Sequence, residues 1–402
     1  MRYIRLAILA AAMGACGEQE VTQPPAPPPA AKQAPVLTQV ATYQVENLPH
    51  LNGTFSEANS ISNSGLTAGR ARLSTNERRA VFWRDGVIKN LGTLGGRHSA
   101  VLWAGGVNNS GMVVGISQTG ILDTLPGTWS CGAFLPASDS TCVGFFWEND
   151  VMTALPTFGG DNGFATAINS RGQVVGWAET LVHDPTCDLP LQALQFRAAL
   201  WEPKKGTMVE LPPHPGDSTS AATGINEKGQ AVGISGECDQ AVGRFSAQHA
   251  VLWEQGQVVP LDDLGGTSWH TPMAINQAGD ITGFSNPQDA RDLLGEFIAH
   301  AVLWTPEGGI QDLGRLPGDS TSQGLGINIF RQVVGVSSGD AGSRAFLWQD
   351  GTLVDLNSIV DPAYPDSLII AGDINDDGVI TGRAREAATG RIVTFIARPI
   401  TP

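Results

Sequence analysis

Charge is what this sequence has least of. Only 16 % of its 402 residues are charged, 39 acidic against 24 basic, and Lys and Arg never cluster beyond pairs. A phosphate backbone finds no counter-charged surface here, which excludes nucleic acid as a partner. No apolar run is long enough to span a bilayer, since the stretch from Leu6 to Ala15 is too short. No long helical pattern appears either, so the apolar residues have to be buried by strands. Cys-x-x-Cys and His-x-x-x-His spacings are missing, so no metal and no cofactor is expected.

What is abundant is glycine, 49 residues, with 25 prolines beside it. That mixture suits many short strands joined by tight turns. One phrase recurs: Ala167-Ile168-Asn169-Ser170-Arg171-Gly172-Gln173-Val174-Val175-Gly176 returns as residues 224–233 and 274–283, and looser copies end at Gly69, Gly115, Gly335 and Gly382. Each copy reads as a small-residue strand ending Ile-Asn, a turn closed by glycine at positive φ, and a second strand. A variable loop follows, then a bulky apolar strand ending in Trp83, Trp147, Trp201, Trp253, Trp304 or Trp348. A tight turn such as Asp85-Gly86 leads into a fourth strand. Four short strands in roughly 50 residues describe a β-propeller blade.

The strand count predicts an all-β, seven-bladed propeller over residues 40–402, six or eight blades being the alternatives. Residues 41–48 match a fourth strand standing before the first copy, and the chain stops after a third strand at Val393–Ile396. The N-terminal strand is therefore expected to complete the last blade and leave no open edge.

Ahead of the repeats, Arg2 and Arg5 precede the short apolar run, which reads as a signal peptide over residues 1–16. Met13-Gly14-Ala15-Cys16 resembles a bacterial lipobox, which implies lipidation of Cys16 and membrane contact by that anchor alone. Gly17, where some sorted lipoproteins have Asp, implies the outer membrane, with the protein facing the periplasm or the exterior. Residues 17–39, rich in Pro and Ala, read as an extended tether.

The repeats resemble the bacterial extracellular HAF-repeat family, named for a His-Ala-Phe triplet. The resemblance rests on His249-Ala250-Val251-Leu252-Trp253, Asp263-Leu264-Gly265-Gly266 and Ala274-Ile275-Asn276-Gln277-Ala278-Gly279, and covers nearly all of residues 40–398. It implies an exported repeat protein and carries no defined activity. The His position holds Arg79, Arg197 and Arg344 in three copies. Exchange with Arg makes His249 and His300 polar contacts at strand starts.

Asp373-Ile374-Asn375-Asp376-Asp377-Gly378 spells the opening of a calcium loop, but its twelfth position is Ala384, and the repeat frame accounts for Ile374, Asn375 and Gly378. The loops between second and third strands differ more informatively. From glycine to strand apex they take 13 or 14 residues in three copies and 20 to 32 in the four middle ones. Long loops on a rigid scaffold are where binding resides. They hold Cys131, Cys142, Cys187 and Cys238, which allow three connectivities. Cys131–Cys142 is the local pairing, and Cys187–Cys238 would bridge neighbouring blades. Trp129 lies outside the repeat frame and is a candidate exposed contact. Asp217 and Asp319 stand in two Pro-Gly-Asp-Ser-Thr-Ser turns, and together with Trp269 and His270 they complete the candidate binding set.

The expected function is a monomeric cell-envelope lipoprotein that binds or scaffolds an envelope protein or glycan without catalysis. The alternatives are a glycan lyase or hydrolase, which would need acids or His at the channel mouth, and an envelope-assembly factor.

Overall fold

The computed structural model describes residues 42–238 and 247–400. The expectations for the leader, Cys16 and the tether lie outside the described residues. The described chain is all-β and propeller-like, made of five separate four-stranded sheets and one eight-stranded sheet. The latter is two four-stranded units joined by a single parallel bridge, Phe55 to Ile392. Along the chain, units one to seven open at Asn52, Ser99, Gly159, Thr219, Thr271, Thr321 and Ser367. Within each unit successive strands pair antiparallel, so the chain meanders outward. Unit seven has three of its own strands, and Thr42–Asn47 pairs antiparallel with the third of them, Ile392–Ile400, with Val45 opposite Ala397. Among the described residues no helix is long and apolar enough to cross a membrane.

The repeated phrase sets the inner end of each unit. Its turn glycines Gly65, Gly111, Gly172, Gly229, Gly279 and Gly378 all take positive φ. The asparagine before the turn does two things. Asn226 Oδ1 accepts from the backbone N–H groups of Lys228 and Gln230, 3.0 and 3.1 Å, closing its own hairpin. Its Nδ2 donates to the carbonyl of Asn276 in the next unit at 3.1 Å. The same link runs from Asn108 to Asn169, Asn169 to Asn226, Asn276 to Asn328, Asn328 to Asn375 and Asn375 to Ser62. Between units one and two, where Ser62 stands in place of asparagine, the Ser64 hydroxyl donates to the Asn109 carbonyl at 3.0 Å.

In unit six Arg331 holds the glycine position at φ +60°, a strained region for a residue with a Cβ. Its Nε donates to the buried carboxylate of Asp280 at 2.9 Å, across the boundary to unit five. Asp280 stands where Gln173, Gln230 and Gln332 stand in other copies, so the two departures from the repeat compensate each other.

Six inner strands carry a register shift near their middle, as between Ala222 and Gly224. Unit two departs further than its sequence suggests. Only Ser99–Ala100 pairs as strand, and the chain turns through Gly105 at φ +77° before a lone bridge at Val107. Third-strand tryptophans pack between neighbouring sheets and reach back to the connector before their unit. The indoles of Trp83, Trp201, Trp253 and Trp304 donate to the carbonyls of Pro49, Pro156, Pro212 and Asp262 at 2.7–2.9 Å.

Candidate functional site

The second strand of every unit runs away from the asparagine hairpins, so the loops that follow share the opposite face. On that face the loops of units two, three and four are stitched together. Thr128 N donates to Leu191 O at 2.8 Å and Ala193 N to Pro126 O at 2.9 Å. Cys131 is bonded to Cys142 and Cys187 to Cys238, the second link crossing from unit three to unit four. Cys238 N also donates to Thr186 Oγ1 at 2.9 Å. By loop-closure entropy the longer link contributes more, roughly 4 against 3 kcal/mol.

Burial changes the reading of several candidates. Trp129 is 1 % exposed. It sits in the single turn of π-helix Thr128–Gly132, packed under its own loop instead of facing solvent. The unpatterned sequence around it left that side open. Trp269 is also buried, edge-on to Phe284 with ring centroids 5.4 Å apart. His270 is 1 % exposed, with Nδ1 2.7 Å from Ser285 Oγ and Nε2 3.1 Å from the Gly266 carbonyl. The carbonyl only accepts, so Nε2 carries the proton and Nδ1 accepts from the serine. Burial lowers its pKa. All three side chains are buried, not exposed as a surface contact would be. Asp217 and Asp319 occupy equivalent turns of the connectors before units four and six. Asp319 pairs with Arg344 at 3.0 Å, while Asp217 accepts from Ser235 Oγ at 2.6 Å and from His249 Nδ1 at 2.9 Å. His300 Nδ1 similarly meets Asp312 at 2.8 Å.

Below the loops the central space is filled. Trp103, Phe134, Phe164 and Trp177 form one aromatic cluster with centroids 4.8–5.9 Å apart. Phe134 comes from the loop of unit two, and its carbonyl accepts from Arg78 of unit one at 2.9 Å. The buried carboxylates here serve the fold. Burial pushes Glu57 up, but Arg70 and Arg383, each at 2.6 Å, hold it at about 2. Burial raises Glu179 in spite of its bonds from Ser130, Gln192 and the Asn162 amide. It ties the loops of units two and three to the sheet.

One further sequence pattern bears on nucleophilic chemistry. Gly335-Val336-Ser337-Ser338-Gly339 spells the Gly-x-Ser-x-Gly of a nucleophile elbow. It lies within the strand Val333–Gly339, and Ser337 Oγ accepts from Leu316 N at 3.0 Å. The strand-to-helix turn that would expose a nucleophile is not there.

At the hairpin end a cavity of about 150 Å³ is lined by all seven units, through Ile61, Ala104, Ala167, Ile225, Ile275, Ile327 and Ile374 among others. Asp373 also lines it, and its oxygens accept from the backbone N–H groups of Ile61 and Ile374, both at 2.9 Å. The calcium-like spelling around it thus serves the hairpin. On the loop face a second cavity of about 390 Å³ lies within residues 123–140. Among the described residues, exposed apolar side chains on this side of the molecule are Ile121 at 67 %, Leu181 at 74 %, Leu189 at 66 %, Leu293 at 101 % and Leu294 at 85 % exposure. Ile121 and Leu181 lie near the outer ends of the second strands of units two and three, and Leu189, Leu293 and Leu294 in the segments that follow the second strands of units three and five.

No family model matches the chain, and no curated protein does. Among solved structures it is similar to an acylaminoacyl peptidase of Pyrococcus horikoshii, with 13 % identity, a TM-score of 0.48, and cover of 89 % of this chain and 54 % of that one. It is similar to dipeptidyl peptidase 4 of Porphyromonas gingivalis, with 11 % identity, a TM-score of 0.40, and cover of 83 % and 50 %. A mutant of AofleA from Arthrobotrys oligospora is similar at 10 % identity and a TM-score of 0.36, with 90 % and 91 % covered. The chain thus spans about half the length of the two peptidases.

Proposed function

We propose that this chain is an exported, non-catalytic binding or scaffolding protein. Its body is a closed seven-bladed β-propeller of HAF-like repeats, carried on a tether lipidated at Cys16 in the outer membrane. The ring is supported by the asparagine links that run from unit to unit and by the strand Thr42–Asn47 pairing in unit seven. Export is supported by two disulfides, which persist in oxidising compartments.

The observation that carries the binding reading is the loop face. The loops of units two to four are stitched into one platform, and exposed Ile121, Leu181 and Leu189 project beside it, with Leu293 and Leu294 on the loop of unit five. Exposed apolar side chains grouped on one face mark a surface that a partner covers. The first strand enters at Thr42 beside the hairpin end, since Tyr43 lies by the Gly378 turn. A tether leaving there presents the loop face away from its membrane, toward an envelope protein.

Site-directed photo-crosslinking in intact envelopes tests this. A photoreactive residue at Ile121, Leu181 or Leu294 is expected to give one discrete adduct, and at Phe330, exposed on the hairpin end, none. Adducts from Phe330 alone, or none from the loop positions, overturn the reading.

A further inference from the structure

The connector between units three and four contains a substitution the repeat does not explain. At the position where other connectors hold Leu94, Leu264 and Leu316, this one holds His214. The equivalence is structural: His214 N donates to Ser235 Oγ just as Leu94 N, Leu264 N and Leu316 N donate to Ser117, Ser285 and Ser337. The neighbours of His214 differ as well. Unit six pairs Asp319 with Arg344, whereas unit four pairs Asp217 with His249. Two imidazoles and a carboxylate therefore meet where unit six has a leucine, a guanidinium and a carboxylate.

The geometry of the three is that of a ligand set. One donor atom from each of His214, Asp217 and His249 lies within 4.8 Å of the other two. The imidazole rings are 4.1 Å apart. His214 Nδ1 is buried and has no hydrogen-bond partner, an orphan that a fold ordinarily satisfies. Asp217 is held by Ser235 Oγ at 2.6 Å, a bond that orients a carboxylate toward a cation. Its side chain is 8 % exposed, while that of His249 is 38 % exposed and opens the group to solvent. Among the described residues the other grouping of this kind, Asp184 with Cys187 and Cys238, has its sulfurs joined in a disulfide and offers no thiolates.

The geometry points to a binding site for a divalent transition-metal ion of the zinc class, formed by His214, Asp217 and His249. Imidazole nitrogen and carboxylate oxygen suit that class, and three protein donors leave a fourth position for water or an incoming ligand. Tetrahedral zinc places its donors roughly 3.3 Å apart; Asp217 and His249 are already 2.9 Å apart, so the adjustment is a shift in how the rings and the carboxylate face a common point. The exposed edge of His249 gives it room to move. On binding, His249 carries its ring proton on Nε2 and offers Nδ1 unprotonated, and the ion replaces the proton that Nδ1 now shares with Asp217.

Cobalt(II) absorption spectroscopy on the full-length chain without an affinity tag, both disulfides oxidised, tests the site. The wild type is expected to bind one equivalent with visible d–d bands that zinc displaces. His214→Leu, which restores the residue the scaffold accepts elsewhere, is expected to lose at least about tenfold in affinity. His249→Arg should do the same. Leu316→His combined with Arg344→His rebuilds the set around Asp319 and is expected to add a second equivalent. No cobalt binding at micromolar concentration overturns the proposal. So does binding that His214→Leu leaves unchanged in a variant with wild-type circular dichroism.

Discussion

Asp373 is the residue most at odds with its surroundings. The inner strands place Ala167, Gly224, Ala274 and Gly326 at this point of the repeat, and unit seven places a carboxyl there. A Cβ on Gly326 would lie 2.7 Å from the Asp373 Cα, so the small neighbour leaves the room that Asp373 uses. Burial pushes the carboxyl from 3.8 up to about 7, although two backbone N–H groups hold it. Between those values the folded chain keeps a proton that the unfolded chain has released. The contribution of this group is therefore fully present below pH 4 and lost as pH rises through 7. Asp373→Asn removes the titration, and its stability relative to wild type is expected to rise by about 2–3 kcal/mol between pH 5 and pH 8. Urea unfolding at the two pH values reads it. A difference that does not change with pH would refute the assignment.

At the scale of the strand, the glycine ending each copy of the repeat is explained by space rather than by φ. A Cβ on Gly233 would lie 2.1 Å from the Ala221 carbonyl and 2.9 Å from the Trp253 ring. The same contact, 1.9–2.2 Å from an inner-strand carbonyl, recurs at Gly69, Gly115, Gly176, Gly283, Gly335 and Gly382. Gly233→Ala is expected to cost roughly 2–3 kcal/mol, because backbone has to move. Gly256→Asn, at φ +77° with nothing within 4 Å, is expected to cost less than about 1 kcal/mol. Thermal unfolding of the two variants decides, and equal losses would count against the steric reading. All seven glycines are visible in the sequence, but their cause is not, because it lies in the close approach of an inner-strand carbonyl. The cysteine pairing was legible from equivalent loops, since 187 and 238 hold matching places in neighbouring units. Burial of Trp129, Trp269 and His270 was not legible, as loop residues carry no period from which to infer a face. The His214 signal was present as a break in a leucine position, yet His249 is 35 residues away in sequence. Only the folded sheet brings the two together.

At the scale of the whole molecule, everything depends on how the two ends of the chain meet. Units two to six each own four strands, and their boundaries are closed by the asparagine links and the tryptophan indoles. Unit seven borrows its outer strand, and the loan is bonded on several sides. Tyr43 is 1 % exposed within the core of that unit, its hydroxyl pKa raised by burial to about 12. Its carbonyl accepts from Asp361 N at 2.9 Å, Leu48 N donates to Thr394 O at 2.8 Å, and the Tyr364 hydroxyl donates to Asn47 at 2.8 Å. Removing residues 42–47 would uncover Ile392–Ile400 as an edge strand with unpaired backbone groups, and such edges recruit other chains. It would also empty the Tyr43 pocket, a loss of about 3 kcal/mol or more before any strand pairing is considered. A chain beginning at residue 48 is therefore expected to unfold at lower temperature and to elute as larger oligomers than the intact chain does. Adding the strand back as a peptide of residues 40–48 is expected to restore the elution of the intact chain, since the register with Ile392–Ile400 is set by the buried Tyr43. If the shortened chain elutes as the intact chain does and unfolds at the wild-type temperature, the terminal strand does not close the ring.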